Sequence, residues 1–157
     1  MTQKGMVETL NAMREYFNRS TRPLGEQHST FAPGEGLFTA AGQVAHAAQT
    51  IEWFYDGAFG KDWSMDFEGM DKQVRAVKSI AEARAWFERA VNKAVQVAES
   101  HSDDEWATPF PPNPIMGERA RYEIIGAVTD HTAHHRGALT VYQRLLGLTP
   151  PMPYMDM

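Results

Sequence analysis

The stretch GERARYEIIGAVTDHTAHHRGALTVYQRLLG, residues 117–147, decides the fold. It contains no proline; Pro111, Pro112 and Pro114 precede it, Gly147 closes it, and Pro150 and Pro151 lie beyond. Proline has no amide hydrogen to donate and glycine readily takes the left-handed conformation that ends helices, so this punctuation delimits one long helix starting near Gly117 or Glu118. At roughly 100° per residue with His131 at zero, Ile124 falls near 20°, Val128 near 60°, His135 near 40°, Ala138 near −20° and Tyr142 near 20°. That is an apolar stripe facing a core, with His131 and His135 in its middle. His134 falls at the stripe's edge, and Arg136 points away from it towards water.

The same punctuation yields three further helices. One spans about Val7 to Arg19, with Met6, Leu10, Met13 and Phe17 at three- and four-residue spacing, and ends before Pro23 and Gly25. Another runs from about Gly36 to Ala58, where Glu52 is the only charged residue between Leu37 and Tyr55, the pattern of a helix buried on most sides. A third opens on the capping box Ser79-x-x-Glu82 and continues through Phe87, Ala90, Ala94 and Val97 to about Ser100. Nothing alternates with period two for long enough to make a sheet. The expectation is an all-α four-helix bundle occupying residues 1–157 as one domain. The connections, residues 57–78 and 101–116, exceed the length usual between antiparallel neighbours and predict crossovers. Their aromatic residues Phe59, Trp63, Phe67, Trp106 and Phe110 read as lids over the bundle ends.

With 43% hydrophobic and 22% charged residues the composition is that of a globular protein, and the net charge of −5 without a Lys or Arg cluster argues against nucleic acid as a partner. The chain has no cysteine, which excludes disulfides and thiolate ligands and leaves any metal to histidine and carboxylate. The N-terminus lacks an apolar leader and no apolar run is long enough to span a membrane, so no membrane association is expected and the chain is read as cytoplasmic. The nine methionines read as core filling.

Residues i and i+4 share a helix face, so His131 and His135 can offer nitrogens to one point. Burying two polar rings on an apolar face costs on the order of a few kcal/mol unless they find partners, and a metal ion is one such partner. A third ligand candidate is His46. Its side of the second helix carries Thr39, Gln43, Gln49, Thr50 and Trp53, which is either a hydrated polar face or the wall of an interior cavity. Competing motifs fail on spacing. The residues between the paired histidines are Thr132, Ala133 and His134, so the metalloprotease His-Glu-x-x-His is absent, and Gln43 and Val128 stand where a di-iron bundle needs glutamates.

A helix-borne His46, then His131-x-x-x-His135-Arg136-Gly137-x-Leu139, then Leu146 through Tyr154 resembles the DinB-like superfamily of damage-inducible and related bacterial proteins, which is distinct from the polymerase of that name. The resemblance spans essentially the whole chain and is most specific in its last 30 residues or so. It implies a crossed four-helix bundle, a homodimer, and a divalent ion such as nickel or zinc held by His46, His131 and His135. Family members of assigned chemistry include transferases and isomerases that use low-molecular-weight thiols such as bacillithiol or mycothiol.

Three neutral imidazoles leave at least one coordination position open, as in catalytic rather than structural sites. The leading expectation is a metal-dependent enzyme, a thiol-dependent S-transferase, acting on a small-molecule substrate; with no cysteine of its own, the thiol must come from a second small molecule. The alternatives are a metal-dependent hydrolase, which also wants a general base, and a non-catalytic scaffold whose ion clips helices together. His134, Gln49 and Tyr142 are the polar residues nominated to support the site.

Overall fold

The computed structural model describes residues 1–60 and 62–155. Four long helices form the bundle: α1 (Gln3–Thr21), α2 (Ala40–Phe59), α4 (Ile80–Ser100) and α6 (Glu123–Leu145), with shorter helices α3 (Phe67–Ala76) and α5 (Asp103–Ala107) in the connections. Each long helix begins where local chemistry asks for it, save α6. Thr2, Thr39 and Ser79 cap α1, α2 and α4, their hydroxyls accepting from the backbone amides of Gly5, Gly42 and Glu82. The second helix therefore starts at Ala40, behind its Thr39 cap, rather than at Gly36.

The last helix corrects the sequence reading more strongly. It starts at Glu123, because residues 108–121 fold back on themselves first: Phe110 donates to the carbonyl of Arg119, Arg121 to that of Thr108, and Asn113 and Gly117 pair across the tip. Gly117 takes φ +69° there. At its other end α6 stops as expected. Gly147 at φ +75° lets Leu148 donate to the Gln143 carbonyl and Gly147 to that of Arg144, satisfying the last carbonyls.

Around the bundle, α1 packs against α4 and α6, and α2 packs against the same two, so α1 and α2 stand on opposite corners. Cross-helix pairs give the directions. Asn18 bonds Glu88 and Gln3 bonds the carbonyl of Glu99, so α1 and α4 are antiparallel, whereas Gln143 bonds the carbonyl of Ser20, so α1 and α6 run together. Trp86 bonds Glu52 and Lys93 bonds Asp56, making α2 and α4 parallel. Gln43 bonds Tyr142 and Arg121 bonds the carbonyl of Ala58, making α2 and α6 antiparallel. The order is up, down, down, up. Parallel neighbours α2 and α4 need a connection that recrosses about 30 Å of helix length, at 1.5 Å per residue, and the segment that carries α3 provides it.

Fifteen residues of α2 are buried, and six of them are the alanines and the valine between Ala40 and Ala48. At its C-terminal end Trp63, Trp106 and Phe110 are buried as lids, while Phe67, expected to be a lid too, is 50% exposed. Gly57 is needed for this closure, since a Cβ there would sit 2.2 Å from the Trp63 ring. No helix among the described residues is long and apolar enough to cross a membrane.

Candidate metal centre

The antiparallel pairing of α2 and α6 sets His46 opposite the His131–His135 turn. Ring centroids stand 5.1 Å apart for His46 and His131, 4.9 Å for His46 and His135, and 4.5 Å for His131 and His135. One nitrogen from each ring lies within 4.8 Å of the other two. The Nε2 atoms of His131 and His135 are 3.3 Å apart, and two imidazole nitrogens at about 2.0–2.1 Å from a shared tetrahedral ion stand about 3.3–3.4 Å apart. His46 thus lies in the interior wall, not on a hydrated face: it is partly shielded, and its neighbours Gln43, Gln49 and Thr50 are buried.

A chain of hydrogen bonds fixes which nitrogen of His135 carries the proton. The Phe38 carbonyl can only accept, so the Tyr142 hydroxyl, 2.9 Å away, donates to it. Tyr142 must then accept from Gln43 Nε2 at 3.1 Å, which turns Gln43 Oε1 towards His135 Nδ1 at 2.5 Å. Nδ1 is therefore the protonated nitrogen, and the Nε2 lone pair faces His131. Nδ1 of His46 and Nδ1 of His131 are buried without a hydrogen-bond partner.

Burial first, then the neighbouring imidazoles, push the His135 pKa down to about 3 and that of His131 down to about 4, so both rings are neutral near pH 7. His46 is lowered as well, chiefly by burial, with Gln49 and the charge of Asp71 acting in the opposite sense. Gln49 Oε1 nevertheless makes no hydrogen bond of normal geometry. Three neutral nitrogen donors in an enclosed wall, one with its lone pair aimed by a fixed tautomer, are a donor set that fits a divalent ion.

The other nominated residues divide. Tyr142 is buried and joined to the cluster through Gln43, with two hydrogen bonds rather than the single one of an ordinary core tyrosine. Gln49 donates to the carbonyl of Met70 at 3.0 Å and to Gln73 Oε1 at 2.9 Å, which fastens α3 to α2. His134 is exposed, its ring 5.0 Å from that of His135 and 6.5 Å from that of His131. The remaining two histidines serve the backbone: His28 Nδ1 accepts from the amide of Gly25, and His101 Nδ1 donates to the carbonyl of Val97. Gln43 was not nominated from the sequence, although it stands three residues before His46 on a nearly uncharged helix, which is the signal that marks it. The crossover brings α3 to the rim, where the Arg75 guanidinium lies 4.7 Å over the Phe38 ring and pairs with Asp71. Phe38 in turn lies 5.1 Å from His46.

Residues 9–139 match the model of the DinB superfamily. No curated protein matches the chain. Among solved structures, a DinB-like protein from Bacillus cereus superposes with a TM-score of 0.71 at 21% identity, over 96% of this chain and 98% of that one. The DinB-like protein YjoA from Bacillus subtilis gives 0.69 at 18% identity, over 98% and 99%. YfiT from Bacillus subtilis, described as a probable metal-dependent hydrolase with an unusual four-helix bundle topology, gives 0.72 at 13% identity, over 94% and 89%.

Proposed function

Because the chain belongs to the DinB superfamily, we propose that His46, His131 and His135 hold a divalent ion, nickel or zinc, in an enzyme that joins a small-molecule thiol to an electrophilic substrate. The observation that carries this reading is the convergence of three neutral imidazole nitrogens within 4.8 Å of one another. Bound there, a divalent ion supplies Lewis acidity that lowers the pKa of an incoming thiol or water. The residues of the chain do the rest. The imidazoles bind through lone pairs, Gln43 holds His135 in the ligating tautomer, and the buried wall excludes water from that side. The exposed His134, beside His135, is placed to pass a proton to solvent.

Thiol is favoured over water because, among the described residues, no carboxylate hydrogen-bonds any of the three rings, so the general base that hydrolysis asks for is not at hand. The chain has no cysteine, so the thiol is a separate small molecule. Hydrolysis is the second reading, supported by the charge of Asp71 acting on His46 and by the description of YfiT.

The test is elemental analysis of full-length protein purified without a histidine tag, beside His135→Ala. The wild type is expected to carry about one divalent ion per chain and the variant almost none, with helical content preserved by circular dichroism. The metal-loaded protein should then consume a low-molecular-weight thiol against a chloronitroaromatic substrate, and the chelated protein should not. Equal metal in both proteins would overturn the assignment. Metal-dependent ester cleavage that ignores added thiol would move it to the hydrolase reading.

A further inference from the structure

On a flank of α6 turned away from the histidines, a cavity of about 370 Å³ opens between α1 and α6. Arg136, expected from the helical wheel to point to water, is partly buried in the wall of this cavity. Its guanidinium lies 6.0 Å from the ring centroid of Tyr16 and 5.8 Å from that of Tyr154, and these two rings meet edge to face at 5.0 Å. Among the described residues, no Asp or Glu lines the cavity. Arg136 makes no hydrogen bond or ion pair among the described residues, although acidic residues outnumber basic ones in the chain by 20 to 15.

A second observation is independent of the arginine. Thr132, 2% exposed and in the same wall, has a buried hydroxyl oxygen with no hydrogen-bond partner. Buried hydroxyls are normally satisfied, so this one marks a wall that still lacks a polar partner. The remainder of the lining is apolar apart from Thr9 and Thr129, whose hydroxyls donate to the carbonyls of Gly5 and Ile125, with Met13 and Phe17 at its base. The carbonyl of Pro153 accepts from Arg19, and this contact holds the C-terminal segment so that Tyr154 forms one side.

We infer that this cavity binds a small organic carboxylate carrying an aromatic or aliphatic body. The carboxylate would take the unpaired guanidinium and the Thr132 hydroxyl, and the body would lie on Met13, Phe17 and the tyrosine rings. The volume is in the lower part of the range for small-molecule sites, about 300–1,000 Å³, which admits one such molecule and not a peptide. The site is separate from the proposed metal centre: at roughly 100° per residue, Thr132 and Arg136 project about 100° from the neighbouring histidines along α6.

The experiment is calorimetric titration of the full-length protein with 4-phenylbutyrate and, separately, with the neutral 4-phenylbutyramide. Saturable binding of the acid at about millimolar concentration or tighter is expected, with the amide about ten- to a hundredfold weaker. Arg136→Gln should remove that preference, Thr132→Val should weaken the acid severalfold while keeping its volume, and His135→Ala should leave the acid's affinity unchanged. The idea is overturned if acid and amide bind alike, if neither saturates, or if Arg136→Gln and Thr132→Val both bind the acid as the wild type does. Thr132→Val stays informative if Arg136→Gln does not fold.

Discussion

At one end of the α2–α6 pair, the Tyr55 hydroxyl and Trp106 Nε1 are buried without a hydrogen-bond partner; at the other end, Nδ1 of His46 and of His131 are buried in the same condition. The difference lies in what surrounds them. Tyr55 and Trp106 meet edge to face at 6.2 Å, Phe59 and Trp106 at 4.7 Å, and Trp63 and Phe110 at 5.3 Å, a packed aromatic end in which ring contacts surround the polar atoms. Burial pushes the Tyr55 phenol well above its usual range, so it stays a neutral hydroxyl. At the histidine end the nitrogens converge, and hydrogen bonds set the direction of at least one lone pair. An unpaired buried polar atom is therefore weak evidence for a site by itself. Convergence of several, with their orientation fixed from behind, is what separates chemistry from packing.

This contrast can be broken from either end. The largest effect belongs to the aromatic one: Trp106→Ala should lower unfolding free energy by about 3–5 kcal/mol in urea titrations and leave metal affinity as it was. A tenfold loss of metal affinity in that variant would join the two ends into one unit. Next comes Gln43→Leu, which removes the acceptor from His135 and should weaken metal binding about 10–100-fold in competition with a chromophoric chelator. Gln43→Glu, which keeps an acceptor there, should recover most of the loss; unchanged affinity in Gln43→Leu would mean the tautomer is set without it. Smallest is Tyr55→Phe, expected to change stability by no more than about 1 kcal/mol, in the stabilising direction, because an unsatisfied hydroxyl leaves the interior. A clear destabilisation would show that the hydroxyl has a partner in solution.

The long helices were legible because their signals are local. Ser79 and Glu82 announce α4, whose helix starts one residue after the cap, and Gly147 announces the end of α6. The start of α6 was not legible, since the prolines at 111, 112 and 114 mark a break without saying that residues 115–121 return along 108–113 before any helix begins. The short helices α3 and α5 escaped for a related reason: ten and five residues carry too little apolar periodicity to stand out. For the cluster, the His131–His135 spacing could be read from one helix, whereas the place of His46 depended on the antiparallel register of α2 and α6, a tertiary fact. The wheel put Gln43 on the side of His46 but could not show that Tyr142 stands behind it. Arg136 was misread because a wheel distinguishes core from surface and has no term for a groove shared with α1.

The Phe38 carbonyl, at the head of the Tyr142, Gln43 and His135 series, is main chain. A peptide oxygen neither titrates in the range where proteins survive nor disappears with any side-chain replacement, so the arrangement of hydrogens it anchors persists at every pH above the acid range in which His135 itself takes up a proton, for as long as the segment just before Thr39 keeps its seat. Shifting that short segment would free the Tyr142 hydroxyl to turn round, and with it the imidazole order could reverse without any change of side chain.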